Sequence, residues 1–276
     1  MRKLIHFVLS HALWIAVCAA SLVFQTMQLL SLPLNIHLIA FVFFATLCSY
    51  NFHYLLGHFS SVKNFSIQLL FNRYTALLVF VTGVVGILLV FSAAHIRFQN
   101  VVIAFLLTFF YSLPLLPFKQ LSLIRKAGFL KTILLSFTWM FVTAYLPLSQ
   151  NGIEFTTAGI LLMTKRFLFM LILCILFDNR DVGVDKIHGL HSLATDLPVR
   201  VMDVLIFVIL SLLFVINFFL GQHGVTQKQV LALQVAALLT VVIYIMSKKK
   251  QGYFFYYFIV DGMMVFTTLL TTIASI

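Results

Sequence analysis

The acidic residues of this chain are few and clustered. Only seven of its 276 residues are Asp or Glu, and four of them fall close together in the second half of the sequence. Asp178, Asp181 and Asp185 are spaced i, i+3 and i+7, so a helix through this stretch would place them on one face. Carboxylates at this spacing repel one another unless a cation lies between them. Mg²⁺ binds through one or two carboxylates together with the phosphate oxygens of a substrate, so the spacing predicts a magnesium site.

The alternative for this cluster is a solvated loop without a ligand. In that interpretation the carboxylates pair with Arg180 and Lys186, which lie between and beside them in the sequence. The spacing alone leaves both interpretations open.

The composition indicates that the elements around this cluster are solvated by lipid. Hydrophobic residues make up 62% of the chain and charged residues only 9%, whereas soluble domains carry about 25% charged residues. The mean hydropathy is +1.10. These values exclude a soluble enzyme, a disordered protein and a disulfide scaffold. The apolar runs are long and continuous, which is typical of helices and not of barrel strands.

Nine apolar segments can be counted along the chain. Their approximate limits are 4–24, 36–57, 74–94, 100–117, 129–148, 156–177, 199–221, 229–247 and 253–275. Since a membrane span needs about 20 apolar residues, we expect an all-α polytopic membrane protein with about nine transmembrane helices. No linker separates the segments into groups, so we expect a single transmembrane domain over residues 1–276.

The basic residues predict how the chain crosses the membrane. Of the 18 lysines and arginines, only Arg97 and Lys228 fall in the predicted outer connections, and Lys165 and Arg166 lie within the sixth segment. Basic residues gather in cytoplasmic loops, so we expect the N-terminus in the cytoplasm and the C-terminus outside, as in a bacterial inner membrane. This bias also accounts for the net charge of +11 without nucleic acid. The longer connections lie on the predicted cytoplasmic side: 58–73, 118–128 and 178–198.

Two stretches of the sequence carry a family resemblance. The Asp178-x-x-Asp181-x-x-x-Asp185 pattern, followed by Lys186 and Gly189, resembles the second aspartate-rich motif of the UbiA-type intramembrane prenyltransferases. The stretch from Tyr111 to Lys119, with Lys131 beyond it, is similar to the Tyr-Ser/Thr-x-Pro…Lys stretch at the end of that family's fourth helix. The family also has nine transmembrane helices and places its second motif after the sixth.

The resemblance implies a fold, a reaction and a set of ligands. The fold would be a UbiA-like bundle in which Asp178, Asp181 and Asp185 hold Mg²⁺, with Asp181 and Asp185 essential for catalysis. The reaction would be transfer of a prenyl group from a prenyl diphosphate to a lipophilic acceptor, such as an aromatic ring, a quinone precursor or a lipid. We expect Tyr111 and Asp261 to line the cavity. The candidates for binding the diphosphate are Asn51, His58, Arg73, Lys119, Lys131, Arg180 and Lys186.

The first aspartate-rich motif of the family is degenerate here. It reads N-D-x-x-D-x-x-x-D at the end of the second helix, and only Asn51 matches it. Its aspartates are replaced by Phe52, Leu55 and Phe59. His58 shares the helical face of Asn51 and could bind the diphosphate by charge-assisted hydrogen bonds, whereas His53 lies about 200° away and faces elsewhere. Both histidines could equally be ordinary interfacial residues.

The missing half-motif leaves two other functions open. One is a member of the same fold that binds an isoprenoid or a quinone without transferring it. The other is an ion-coupled or proton-coupled transporter in which the clustered aspartates and Asp261 are the ion sites. Lys165 and Arg166 are expected to extend outward to the membrane surface. The acceptor, the prenyl chain length and the oligomeric state are not determined by the sequence.

Overall fold

The computed structural model describes residues 7–59, 67–112, 128–188 and 191–276, and these residues form helices and short connections without a strand. The helices are α1 (Leu13–Leu29), α2 (Ile36–Phe59), α3 (Ile67–Phe91), α4 (Phe98–Ser112), α5 (Gly128–Met140), α6 (Leu146–Gln150), α7 (Thr157–His188), α8 (Leu193–Asp196), α9 (Val199–Gly221), α10 (Gln227–Ser247) and α11 (Asp261–Ile273). A π-helical turn, Phe141–Tyr145, joins α5 to α6, and a second π-helical segment, Phe255–Val260, runs directly into α11.

Seven helical stretches in the described part of the chain are long and apolar enough to cross a membrane. They are Ile36–Leu55, Arg73–Phe91, Leu130–Gln150, Thr157–Gly183, Val199–Gly221, Gln227–Ser247 and Phe255–Ile273. Leu13–Leu29 and Phe98–Tyr111 are apolar but shorter. The chain is therefore an all-α, multi-pass membrane protein, and the count of nine spans stays a prediction.

The first apolar segment differs most from its predicted limits. Helix α1 begins at Leu13 and continues to Leu29, and the preceding residue, Ala12, has a left-handed backbone with φ of 61°. An alanine in this region is strained, so the helical stretch before it ends there. The carbonyl of the neighbouring residue His11 accepts a hydrogen bond from the Asn51 amide, which is 3.1 Å away.

Neighbouring helices contact one another in a circular order, and α1 also packs across the circle against the π-helical turn Phe141–Tyr145 and α6. Helix α5 contacts α4 and α7; α9 contacts α7 and α10; α11 contacts α10 and α1; and α1 contacts α2. The circle closes where His53 of α2 stacks on Tyr111 of α4, with ring centroids 5.6 Å apart.

The first and last helices are joined by a line of polar contacts. Gln25 Nε2 donates to the hydroxyls of Thr267 and Thr271, at 3.2 and 3.3 Å, and Thr268 donates to the Ser21 carbonyl. In lipid there is no hydrophobic force between helices, so such hydrogen bonds and close packing hold them together. This seam fixes α11, and with it Asp261, against α1.

Helix α7 is longer than the predicted sixth segment and positions the acidic cluster. It continues without interruption from Thr157 to His188, past Phe177. Asp178, Asp181 and Asp185 therefore lie on a single helix, as the spacing argument required.

Candidate functional site

The described carboxylates at the end of α7 are both hydrogen-bonded. Asp178 accepts a hydrogen bond from the hydroxyl of Thr132 on α5, at 2.6 Å. Asp181 accepts two from Arg180, each 2.7 Å long, in a bidentate pair. The side chain of Asp185 lies outside the described residues. Among the described side chains, no group of three or more His, Cys, Asp or Glu residues could hold a metal ion.

Arg180 lies in an aromatic environment formed by Phe177, Tyr256 and Tyr257. Its Cζ is 5.0 Å from the ring centroid of Phe177, 5.5 Å from that of Tyr256 and 4.8 Å from that of Tyr257. Its Nη1 is buried and has no hydrogen-bond partner among the described residues. A guanidinium pairs with planar oxygen anions in this way, so the spare N–H favours an anionic ligand.

The π-helical segment before α11 presents the two tyrosines to Arg180. Its backbone is anchored from outside the segment by Trp14, whose Nε1 donates to the Phe258 carbonyl at 3.3 Å. The rings of Trp14 and Phe258 also stack, with centroids 4.8 Å apart. The wider π turn changes which side chains face inward, and such segments recur at functional sites.

Asp261 is a buried acidic residue at the start of α11. It is 7% exposed, and in the described part of the chain its carboxyl makes no hydrogen bond and no ion pair. Arg180 interacts with it electrostatically, although the hydrogen bonds of Arg180 go to Asp181. An unpaired carboxylate within the membrane is costly and by default indicates a functional site.

Tyr50 lies among these residues, although the sequence did not single it out as a site residue. It is 38% exposed, yet its phenol interacts electrostatically with Tyr111, Cys174, Tyr257 and Asp261, which come from other parts of the helix ring. Its free surface therefore faces an interior space and not the lipid. Tyr50 and His53 are spaced i and i+3, so they lie on the same face of α2, which packs towards Tyr111. This spacing was the signal in the sequence that could have linked Tyr50 to the site.

Several predicted site residues lie near this interior space. Tyr111 stacks on His53. As expected, His53 points away from Asn51, whose amide bonds to the His11 carbonyl instead. Lys131 is half-buried on α5, beside Thr132, and interacts electrostatically with Cys174. Tyr111, Lys131, Arg180 and Asp261 are thus brought to one region of the bundle.

The amide of Asn51, a predicted diphosphate ligand, is used by backbone carbonyls. Asn51 is 2% exposed, and its amide donates to the carbonyls of His11 and Leu47, at 3.1 and 2.9 Å. Arg73 is half-buried on α3. The side chains of His58, Asp185 and Lys186 and the whole of Lys119 lie outside the described residues. All of these roles stay predictions.

The expectation that Lys165 and Arg166 extend outward is wrong. Lys165 is 6% exposed and Arg166 is 1% exposed, so both are buried within the bundle. Arg166 Nη2 donates to the Leu22 carbonyl and to the Thr26 hydroxyl, each at 3.1 Å. Helix α1 supplies acceptors there, which makes an inward position available to the guanidinium.

No protein-family model matches this chain, and neither a curated protein nor a solved structure is significantly similar to it. The resemblance to the UbiA-type prenyltransferases therefore depends on the motif residues alone.

Proposed function

We propose that this protein is a membrane-embedded prenyltransferase, which moves a prenyl group from a prenyl diphosphate to a lipophilic acceptor. The observation that carries the proposal is Arg180. It is a half-buried guanidinium that lies among the rings of Phe177, Tyr256 and Tyr257, and its Nη1 is buried without a hydrogen-bond partner in the described part of the chain. This combination suits a ligand with an anionic head and an isoprenoid tail.

The aromatic side chains suit the intermediate of such a transfer. When the diphosphate leaves, an allylic cation develops on the prenyl group. Aromatic faces attract a cation, and Tyr50 and Tyr257 would supply such faces. Arg180, and Lys131 on α5, would stabilise the negative charge that develops on the diphosphate.

Asp178 fits the requirements of a magnesium ligand. Its Oδ2 is held by the Thr132 hydroxyl, and ligating carboxylates are commonly oriented by such a hydrogen bond. Mg²⁺ often takes only one or two carboxylates and completes its shell with water and phosphate oxygens. Asp178 and, from its spacing, Asp185 would hold the ion, which would neutralise charge on the leaving diphosphate. Both oxygens of Asp181 accept from Arg180, so Asp181 orients that guanidinium in this arrangement.

A second candidate function is binding of an isoprenoid without transfer. It is favoured by the surroundings of the degenerate motif on α2. Phe52 is 48% exposed and stacks on Phe80 of α3, with centroids 6.0 Å apart, and the Asn51 amide is used by backbone carbonyls. This part of α2 adds no carboxylate to the site.

A transfer assay separates the two functions. The purified protein is incubated with tritiated geranylgeranyl diphosphate, Mg²⁺ and a membrane lipid extract, and we measure label in apolar products together with released inorganic diphosphate. We expect Arg180→Gln and Asp178→Asn each to lower the rate by about 100-fold or more.

The matched control is Arg200→Gln, which removes the same charge from an exposed residue at the start of α9. We expect it to keep the wild-type rate. Wild-type rates in both site variants would contradict the proposal. Binding of the diphosphate by a wild-type protein that releases no product would favour the second candidate.

A further inference from the structure

Two adjacent basic residues in the first half of α7 are buried without an anionic partner. Lys165 is 6% exposed and Arg166 is 1% exposed. Within the described part of the chain neither of them forms an ion pair, and the Lys165 amine makes no hydrogen bond. The charge that acts on Lys165 there is that of Arg166, so the two side chains repel each other when both are ionised.

Arg166 keeps donors beyond those that bind α1. Its Nη2 donates to the Leu22 carbonyl and the Thr26 hydroxyl, whereas its Nε and Nη1 are buried and have no acceptor among the described residues. The Thr26 hydroxyl is itself held by the Thr143 carbonyl, at 2.8 Å, so the guanidinium is anchored along one edge. A guanidinium has more N–H donors than these contacts use, and Nε and Nη1 remain for a ligand.

The surroundings of this pair are apolar. Arg166 lies nine residues after Thr157, so it is about 13 Å along the helix from the start of α7. Leu162, Phe169 and Met170, which flank it on one face of α7, are all buried. Two like charges in such a place are unfavourable without a counter-charge, and ionisable groups within membrane spans by default indicate a functional site. Since no carboxylate among the described residues supplies the negative charge, a ligand is its candidate source.

We propose that Lys165 and Arg166 form a binding site for a carboxylate. The two oxygens of a carboxylate match the planar fork of a guanidinium, and the Lys165 ammonium adds a second positive charge. A carboxylate brings a single negative charge, whereas a phosphate group brings up to two and is harder to transfer from water into an apolar core. The site is independent of the proposed function, because Arg166 lies about 21 Å along α7 from Arg180.

The carboxylate has two possible sources, which a binding experiment distinguishes. One is a fatty acid, whose chain would lie among apolar side chains, and the other is a small carboxylate that enters from water. Binding is measured by scintillation proximity on purified protein in non-ionic detergent, with tritiated palmitate and, separately, with tritiated acetate. Saturable palmitate binding that unlabelled methyl palmitate does not displace assigns the site to a fatty acid. Saturable acetate binding without palmitate binding assigns it to a small free carboxylate.

Two variants test the roles of the two side chains. We expect Lys165→Met, which removes a charge but no hydrogen bond, and Arg166→Lys, which keeps the charge but loses the planar fork, each to weaken carboxylate binding by about tenfold or more. The matched control is Lys228→Met, which makes the same change at an exposed residue at the start of α10 and should keep the wild-type affinity.

Thermal unfolding of the same samples separates a binding role from a structural one. Without added carboxylate, Lys165→Met should unfold at the wild-type temperature or above it, because it removes an unpaired charge from the core, and a lower midpoint would contradict this account of Lys165. The proposal is overturned if the folded wild-type protein binds neither palmitate nor acetate, or if Lys165→Met binds them as the wild type does.

Discussion

Thr26 forms hydrogen bonds both with the buried Arg166 and with the π-helical turn Phe141–Tyr145 of a neighbouring helix. Its hydroxyl accepts from Arg166 Nη2 at 3.1 Å and lies 2.8 Å from the Thr143 carbonyl, to which it donates. That carbonyl needs a partner because the residue four positions later is Pro147, which has no N–H and whose ring crowds the carbonyl. The π-helical turn Phe141–Tyr145 absorbs this crowding.

We predict that Thr26→Val destabilises the protein by about 1–3 kcal/mol, because it leaves a buried carbonyl and a guanidinium N–H without their partner. Denaturation in mixed detergent micelles measures the free energy of unfolding. Thr164→Val is the control, since the Thr164 hydroxyl is exposed and bonds only within α7.

The same measurement tests the link to Arg166. In an Arg166→Met background, Thr26→Val should cost less, because no guanidinium remains to be left unpaired. Strictly additive effects of the two substitutions would show that the hydrogen bond between them contributes nothing.

At the residue scale the sequence singled out candidate site residues but not their contacts. Asp178, Arg180 and Asp261 stood out because charged residues are rare in this chain, and the structure brings Arg180 and Asp261 to one interior space. The i, i+3 spacing places Tyr50 and His53 on one face of α2, but the helix that this face meets could not be predicted. The direction of Arg166 could not be predicted either, because both depend on helices that are distant in sequence. Pro147 could be recognised in the sequence. The Thr26 hydroxyl, which donates to the Thr143 carbonyl, could not be predicted, because it lies 117 positions away in the chain.

Helix α7 is the element that carries the acidic cluster, and its start is closely packed. A Cβ on Gly159 would lie only 2.3 Å from the Ile153 carbonyl oxygen and 3.0 Å from that of Glu154. Glycine is therefore required there, because the turn before the helix folds back onto its first turn.

We predict opposite effects for two alanine substitutions in α7. Gly159→Ala should cost about 1–3 kcal/mol, since the backbone has to move away from the new methyl group. Gly183→Ala meets no atom within 4 Å and should be neutral or stabilising by up to about 1 kcal/mol, because glycine is a poor helix former. Thermal unfolding in detergent compares the two, and equal shifts in midpoint would contradict this account of the start of α7.

Helix limits were predictable where the apolar pattern was uninterrupted. Segment 199–221 matches α9, Val199–Gly221, and segment 36–57 ends within two residues of α2, Ile36–Phe59. The end of α7 could not be predicted from hydropathy, since its last turns are polar. The two π-helical segments have no hydropathy signal, because they change the register of a helix without changing its composition.

The described part of the molecule is apolar on its surface, and its few buried charged and amide side chains lie within an apolar core. The outward faces of α3 and α4 carry side chains such as Leu88, Leu89 and Phe105, which are 72%, 75% and 67% exposed. Arg166, Asp261 and Gln25 are buried. This distribution suits a protein whose surface meets lipid and whose backbone groups are satisfied internally.

The fold class followed from composition, because a chain with 9% charged residues can fold only where lipid surrounds it. The ring arrangement did not follow, since it depends on which helix faces meet. The orientation in the membrane stays a prediction from the basic residues, as does the family assignment.

The central claim is that the interior site binds a prenyl diphosphate, and equilibrium binding of a tritiated geranylgeranyl thiolodiphosphate tests it most directly. Binding is measured on purified protein in detergent, with and without Mg²⁺, for the wild type, Asp181→Ala and the control Arg200→Gln. We predict Mg²⁺-dependent, saturable binding that is kept by the control and lost in Asp181→Ala, because Arg180 then loses the carboxylate that orients it. A folded wild-type protein that binds no thiolodiphosphate at any Mg²⁺ concentration would contradict the account.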